Sequence, residues 1–74
     1  MMGLENETII ATLRKNSREQ IRVATGEYHG RKIVSLRVFF EAADGEWRPG
    51  KGGLAFAVGL IPELAAALGQ AVPK

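Results

Sequence analysis

Seventy-four residues, 46% hydrophobic and 24% charged, make one domain and not two cores. With no cysteine and a single histidine, His29, the chain excludes disulfides, thiolate metal sites and a histidine metal cage; since so short a chain buries only about 60% of its unfolded surface, self-association is the stabilising device left. The net charge of +2 is uneven: Arg14 to Lys51 carries nine Arg or Lys against five acids, the first thirteen residues are acidic, and the stretch after Lys51 is neutral, a mild basic excess suited to a polyanion.

Residues 1–8, with Glu5 and Glu7, lack the basic and apolar run of a secretory signal and read as a flexible leader to a domain over residues 9–74. Ile9 to Lys15 is a short β-branched run, and Asn16, Ser17 and Arg18 make a turn. In the second strand, Glu19 to Tyr28, Ile21, Val23 and Thr25 share one face while Gln20, Arg22 and Ala24 share the other. His29 and Gly30 break the pattern, the glycine able to supply the positive φ of a hairpin. Arg31 to Ala42 is the third strand, with Val34, Leu36 and Val38 opposed to Ser35, Arg37 and Phe39. Asp44 and Gly45 open a loop that continues from Trp47 to Gly53, and Leu54 to Phe56 is a short fourth strand.

In the last segment Leu60, Ile61, Leu64, Leu68, Ala71 and Val72 fall within about 120° of a helical wheel. Its flanks are alanines, and only Glu63, Ala66 and Gln70 mark a polar stripe, so a second surface is expected against it. Gly59, Pro62, Glu63, Gly69 and Gln70 interrupt the apolar run and argue against a membrane span. The pattern predicts an α+β fold: a four-stranded antiparallel meander followed by a C-terminal helix that either caps the sheet with its alanines exposed or, the weightier reading, pairs with a second copy through Leu60, Ile61, Leu64 and Leu68. The absence of cysteine fits a reducing interior, so an intracellular protein, cytoplasmic or nucleoid-associated, is expected.

Catalysis needs a positioned base, a nucleophile or paired acids. His29 sits in a turn beside a glycine, where a solvated imidazole is the plainer reading, and Glu41, Asp44 and Glu46 cluster on a hairpin loop with no group to separate their pKa values. Gly50-Lys51-Gly52-Gly53 lacks the spacing and the Ser or Thr of a P-loop. A binding protein without cofactor, metal or small-molecule substrate is predicted rather than an enzyme.

Binding unpaired strands requires cations along the backbone and aromatic faces for the bases. Here the two interleave: Tyr28 precedes Arg31, Arg37 precedes Phe39 and Phe40, and Trp47 precedes Arg48 and Lys51. Each group falls on a strand or hairpin, although aromatic residues on strands more often belong to a core.

The order Tyr28-His29-Gly30-Arg31, Ile33 to Phe40, Gly45-Glu46-Trp47-Arg48-Pro49, then Gly53-Leu54-Ala55-Phe56 leading into Leu60-Ile61-Pro62-Glu63-Leu64 resembles the single-stranded-DNA-binding domain of the positive cofactor four transcriptional coactivators and their bacterial relatives. The likeness runs from about Glu19 to Ala71. It implies a symmetric dimer of sheet-and-helix subunits that holds single-stranded DNA, with RNA as a variant. By position, Tyr28 and Phe40 match the family's stacking aromatics, and Arg37, Arg48 and Lys51 lie at or beside its basic positions. Arg22 or Arg18 must substitute for a lysine expected near Glu19, and Gly52 stands where a second lysine is frequent; binding weaker than in a fully basic member is implied. The full set expected to meet nucleic acid is Arg22, Tyr28, Arg31, Arg37, Phe39, Phe40, Trp47, Arg48 and Lys51. Strict alternation puts Phe39 beside Arg37, whereas positional matching selects Phe40; a bulge near Val38 to Phe40 would reconcile the two.

Overall fold

Alternation of apolar and polar side chains sets strand pairing here, because a slip of one residue would exchange the two faces of the sheet. The structure, a computed structural model, describes residues 4–73. Four strands, β1 (Glu5–Asn16), β2 (Glu19–Tyr28), β3 (Arg31–Glu41) and β4 (Trp47–Ala57), form one antiparallel sheet in the order β1-β2-β3-β4. A 3-10 turn over Val58–Leu60 leads into α1 (Ile61–Gln70), with Pro62 in the first turn, where a missing N–H leaves no helix bond unmade.

Turn chemistry explains the hairpins. Asn16 Oδ1 accepts a 2.9 Å hydrogen bond from the Arg18 N–H, fixing the first reversal. His29 and Gly30 both have positive φ, 51° and 78°, the pattern of a two-residue turn whose twist matches its strands. In the third turn Asp44 Oδ1 accepts from the Glu46 N–H at 3.0 Å, and Gly45 takes φ 84°. The first and third turns share one end of the sheet and are tied there by a 2.9 Å bond from the Glu41 N–H to the Arg18 carbonyl.

Two boundaries differ from expectation. β1 begins at Glu5, inside the stretch read as a leader: Glu5 pairs with Glu27 and Thr8 with Thr25, because β2 is long enough to template the extra residues. Met1, Met2 and Gly3 lie outside the described residues. The segment Trp47 to Gly53, expected as loop, belongs to β4, where Trp47, Arg48 and Pro49 pair with Glu41, Phe40 and Phe39. Glycine and proline concealed this strand, since both are depleted in sheets and Pro49 is tolerated only because β4 is an edge.

β4 accommodates them with a bulge. Between the pairs Phe39–Pro49 and Arg37–Gly53, β4 spends two residues more than β3. At Gly53, φ is 154°, and a Cβ there would lie 2.7 Å from the Leu36 carbonyl oxygen. Gly53→Ala is therefore expected to destabilise the fold by about 1–3 kcal/mol; chemical denaturation that leaves the midpoint unchanged would refute this reading of the bulge.

Very little of the chain is covered. Ala24 and Val34, each 4% exposed, are the buried apolar side chains among the residues described, with Gly26 also buried and Ser35 as the buried polar residue. α1 buries none of its residues, and Leu64 alone on it is half-buried.

Candidate nucleic-acid interface

Pairing between β2 and β3 runs without interruption from Glu19–Phe40 to Tyr28–Arg31, so the side chains sort cleanly. One face carries Gln20, Arg22, Ala24, Gly26 and Tyr28 of β2 with Arg31, Ile33, Ser35, Arg37 and Phe39 of β3; by the same parity Trp47 and Pro49 of β4 join it. The other carries Ile21, Val23, Val34, Leu36, Val38 and Phe40, with Leu54, Phe56 and Arg48 of β4.

Curvature folds the first face into a groove of about 200 Å³, floored by Ala24 and Ser35 and rimmed by Leu4 and Ile9 on one side and Pro49 and Ala55 on the other. Arg22, Arg37 and Phe39 stand in it. Arg22 and Arg37 are direct cross-strand partners, both half-buried. Like charges so placed destabilise a sheet. Neither has a carboxylate within ion-pair distance; the two ion pairs among the described residues are Lys15–Glu19 at 2.8 Å and Arg48–Asp44 at 2.6 Å. The Arg22 guanidinium carbon lies 4.0 Å from the centroid of the Phe39 ring, and its Nε donates to Gln20 Oε1 at 3.4 Å.

The nine residues expected to meet nucleic acid are therefore divided. Arg22, Arg37 and Phe39 are together in the groove, Trp47 is on the same face at the end of the third turn, and Tyr28 with Arg31 lies at the opposite end, where the Tyr28 ring meets His29 edge-on at 4.1 Å. Phe40, 40% exposed, and Arg48 pair with each other on the reverse face. Lys51 is exposed in the bulge. The irregularity near Val38 adds residues to β4 and leaves β3 alternating, so it does not bring Phe40 round to Arg37. Sequence reasoning missed the rim, Leu4, Glu7, Ile9, Pro49 and Ala55, because only the pairing of all four strands brings these positions together; Gln20 was visible on the right face but its partner was not.

An open antiparallel sheet with a groove that holds Arg22, Arg37 and Phe39, followed by a trailing helix, defines an α+β protein. The sequence profile of the family described as Transcriptional Coactivator p15 (PC4) matches residues 15–67, and the chain belongs to that family. Among solved structures it is similar to BPSL1147, a PC4 homologue from Burkholderia pseudomallei, in two crystal forms: TM-score 0.78 at 24% identity over 95% of each chain, and 0.77 at 26% identity over 89% of this chain and 97% of that one. It is also similar to the bacteriophage T5 homologue of the eukaryotic coactivator PC4, implicated in recombination-dependent DNA replication, with TM-score 0.64 and 27% identity over 88% of this chain and 75% of that one. No curated protein matches significantly. The family is DNA-binding and non-enzymatic. No helix among the described residues is long and apolar enough to cross a membrane.

At the first turn, hydrogen bonds from Lys15 Nζ at 2.8 Å and Asn16 Nδ2 at 2.7 Å both reach Glu19 Oε1, and with the lysine charge they hold the Glu19 carboxyl below its ordinary range. A depressed folded value means that this pairing stabilises the turn fully above the ordinary glutamate range and is lost as pH falls through the lower midpoint. A carboxyl titration followed by NMR should give Glu19 a midpoint below that of an unpaired glutamate, and Lys15→Ala should raise it; no change in the variant would show that the pair does not persist in solution.

Proposed function

We propose that the protein binds single-stranded DNA without sequence specificity, as a symmetric homodimer, in transcription or DNA maintenance inside the cell. The observation that carries this reading is the Arg22–Arg37 pair, two cross-strand cations beside Phe39 in an open groove, neither within ion-pair distance of a carboxylate although Glu7 stands on the rim. A polyanion relieves that repulsion, and the aromatic surface accepts unpaired bases, which expose their π-faces as duplex bases do not. Tyr28, Arg31 and Trp47 extend the same face along the strand direction. Lys51, on the bulge, and Arg48 with Phe40, on the reverse face, are assigned to backbone contacts where a strand passes round the sheet end. It is a binding role, needing no cofactor and no reacting group.

The exposed area supports the homodimer. The chain exposes 5741 Å², against roughly 4,400 Å² expected of a folded monomer of its 8.0 kDa, an excess of the order of one partner's share of a standard interface. Exposed apolar residues on β4 and the helical segment contribute to it: Leu54 57% exposed, Leu60 44%, Ile61 41%, Leu68 60%. A second copy would cover these residues together with Leu64.

Glu19 and Asp44, which neutralise Lys15 and Arg48 beside the exposed Phe40, favour a second reading in which the same dimer binds protein rather than DNA. RNA is a variant of the first, because stacking alone does not test for the 2′-hydroxyl.

Titration with a dT oligomer should quench Trp47 fluorescence, and affinity should fall with salt at a logarithmic slope of about 0.7 per phosphate neutralised. Arg37→Ala should weaken binding about tenfold and lower that slope by about one phosphate's worth while the dimer persists. Binding that is absent at micromolar concentrations, or indifferent to salt, would favour the protein-interaction reading, and matched RNA and DNA oligomers separate the remaining pair. On a sizing column the protein should run as a dimer and Leu68→Glu as a monomer; a monomeric wild type at micromolar concentration refutes the interface.

A further inference from the structure

The aromatic ring in the groove is not bare. Arg22 stands over one side of Phe39 at 4.0 Å, so a base approaching from that side meets the guanidinium before the ring. Register explains why it stands there. Arg22 faces Arg37 directly across the strands, and Phe39 is its diagonal neighbour, directly opposite Gln20. The like charge ahead repels the guanidinium, the π-face to the side attracts it, and Gln20 Oε1 receives its Nε at 3.4 Å. All three effects move the group towards Phe39 and away from Arg37. Arg22 is half-buried, and its contacts to Phe39 and Gln20 are made within the protein.

We propose that the stacking surface of this groove is the outward side of the Arg22 guanidinium, with Phe39 as the positioning residue beneath it. An unpaired nucleobase lies on Arg22 to form a base–Arg22–Phe39 stack, and Arg37, kept free by the same displacement, takes a backbone phosphate. The inference rests on the single-strand reading above and sharpens it. Guanidinium is planar, permanently charged and weakly hydrated, so it stacks between two π-systems where a compact, strongly hydrated ammonium cannot. Stacking on bare Phe39 predicts the reverse dependence: Arg22 would then be a lid over the ring, and removing it would leave binding unchanged or improve it.

A dT oligomer carrying one 2-aminopurine, whose fluorescence is quenched on stacking, separates these arrangements when titrated at several salt concentrations. Arg22→Lys, which keeps the charge, should retain the dimer and the salt slope but lose about tenfold in affinity together with the quench. Phe39→Leu should lose a similar amount, and the double variant should be no weaker than the weaker single, because both remove one stack. Wild-type affinity and quench in Arg22→Lys, tighter binding by Arg22→Ala, or additive losses in the double variant would each overturn the proposal while leaving DNA binding intact. If the position 22 variants do not fold, Phe39→Leu decides alone, and wild-type quench in it is equally fatal. A wild-type protein that binds no oligomer overturns both this inference and the functional reading beneath it.

Discussion

Two arginines, Arg22 and Arg37, stand directly opposite one another across β2 and β3, and most of what is distinctive about this sheet is arranged around that pairing. Opposed arginines work against folding, so the rest of the pairing must hold them in place: ten consecutive residue pairs join these two strands without a bulge. Ala24 and Ser35 beneath them are small and buried, leaving room above, and Phe39 and Gln20 draw one of the two aside. Register sets two like charges opposite one another, and an anion would relieve their repulsion, the arrangement expected where a phosphate is the partner.

Irregularity is pushed to the outer strands. β1 carries three breaks in register and β4 carries the bulge around Lys51, while the centre stays regular. Broken edges discourage strand-to-strand aggregation, and they also curl the sheet so that its rims rise on either side of the groove. Gly53 is needed for this shape because the Leu36 carbonyl occupies the space a side chain would require. The concavity that turns a flat cationic surface into a channel is therefore a product of the edges, whereas the charge comes from the middle.

A thin molecule results, 18 Å across its shortest axis with a radius of gyration of 13.6 Å, larger than the roughly 11 Å expected for a compact chain of this length. A single sheet with a projecting helix cannot enclose a core, and the apolar side chains left on α1 and β4 have no partner within the subunit. The same openness leaves one face of the sheet uncovered and the other short of cover, so both the proposed binding and the proposed self-association would draw on one architecture.

Alternation in the sequence alone determined the strand faces: Arg22 with Gln20 and Ala24, Arg37 with Ser35 and Phe39, and the apolar face behind them were all legible, because period two is a local property. The first three strands, the two-residue turn at His29 and Gly30 and the C-terminal helix were legible from equally local signals: alternation, a glycine able to take positive φ, and the 3.6-residue period. Tertiary structure decided the rest. Whether Phe39 or Phe40 accompanies Arg37 depended on where the bulge fell, and it fell on β4, whose Pro49, Gly50, Gly52 and Gly53 resemble loop residues until β3 pairs with them. That Arg22 and Arg37, fifteen positions apart, stand opposite one another, and that Arg22 reaches Phe39, followed only from register. Local patterns dictate which way a side chain points; what it meets there is set by strands that only the folded chain brings alongside.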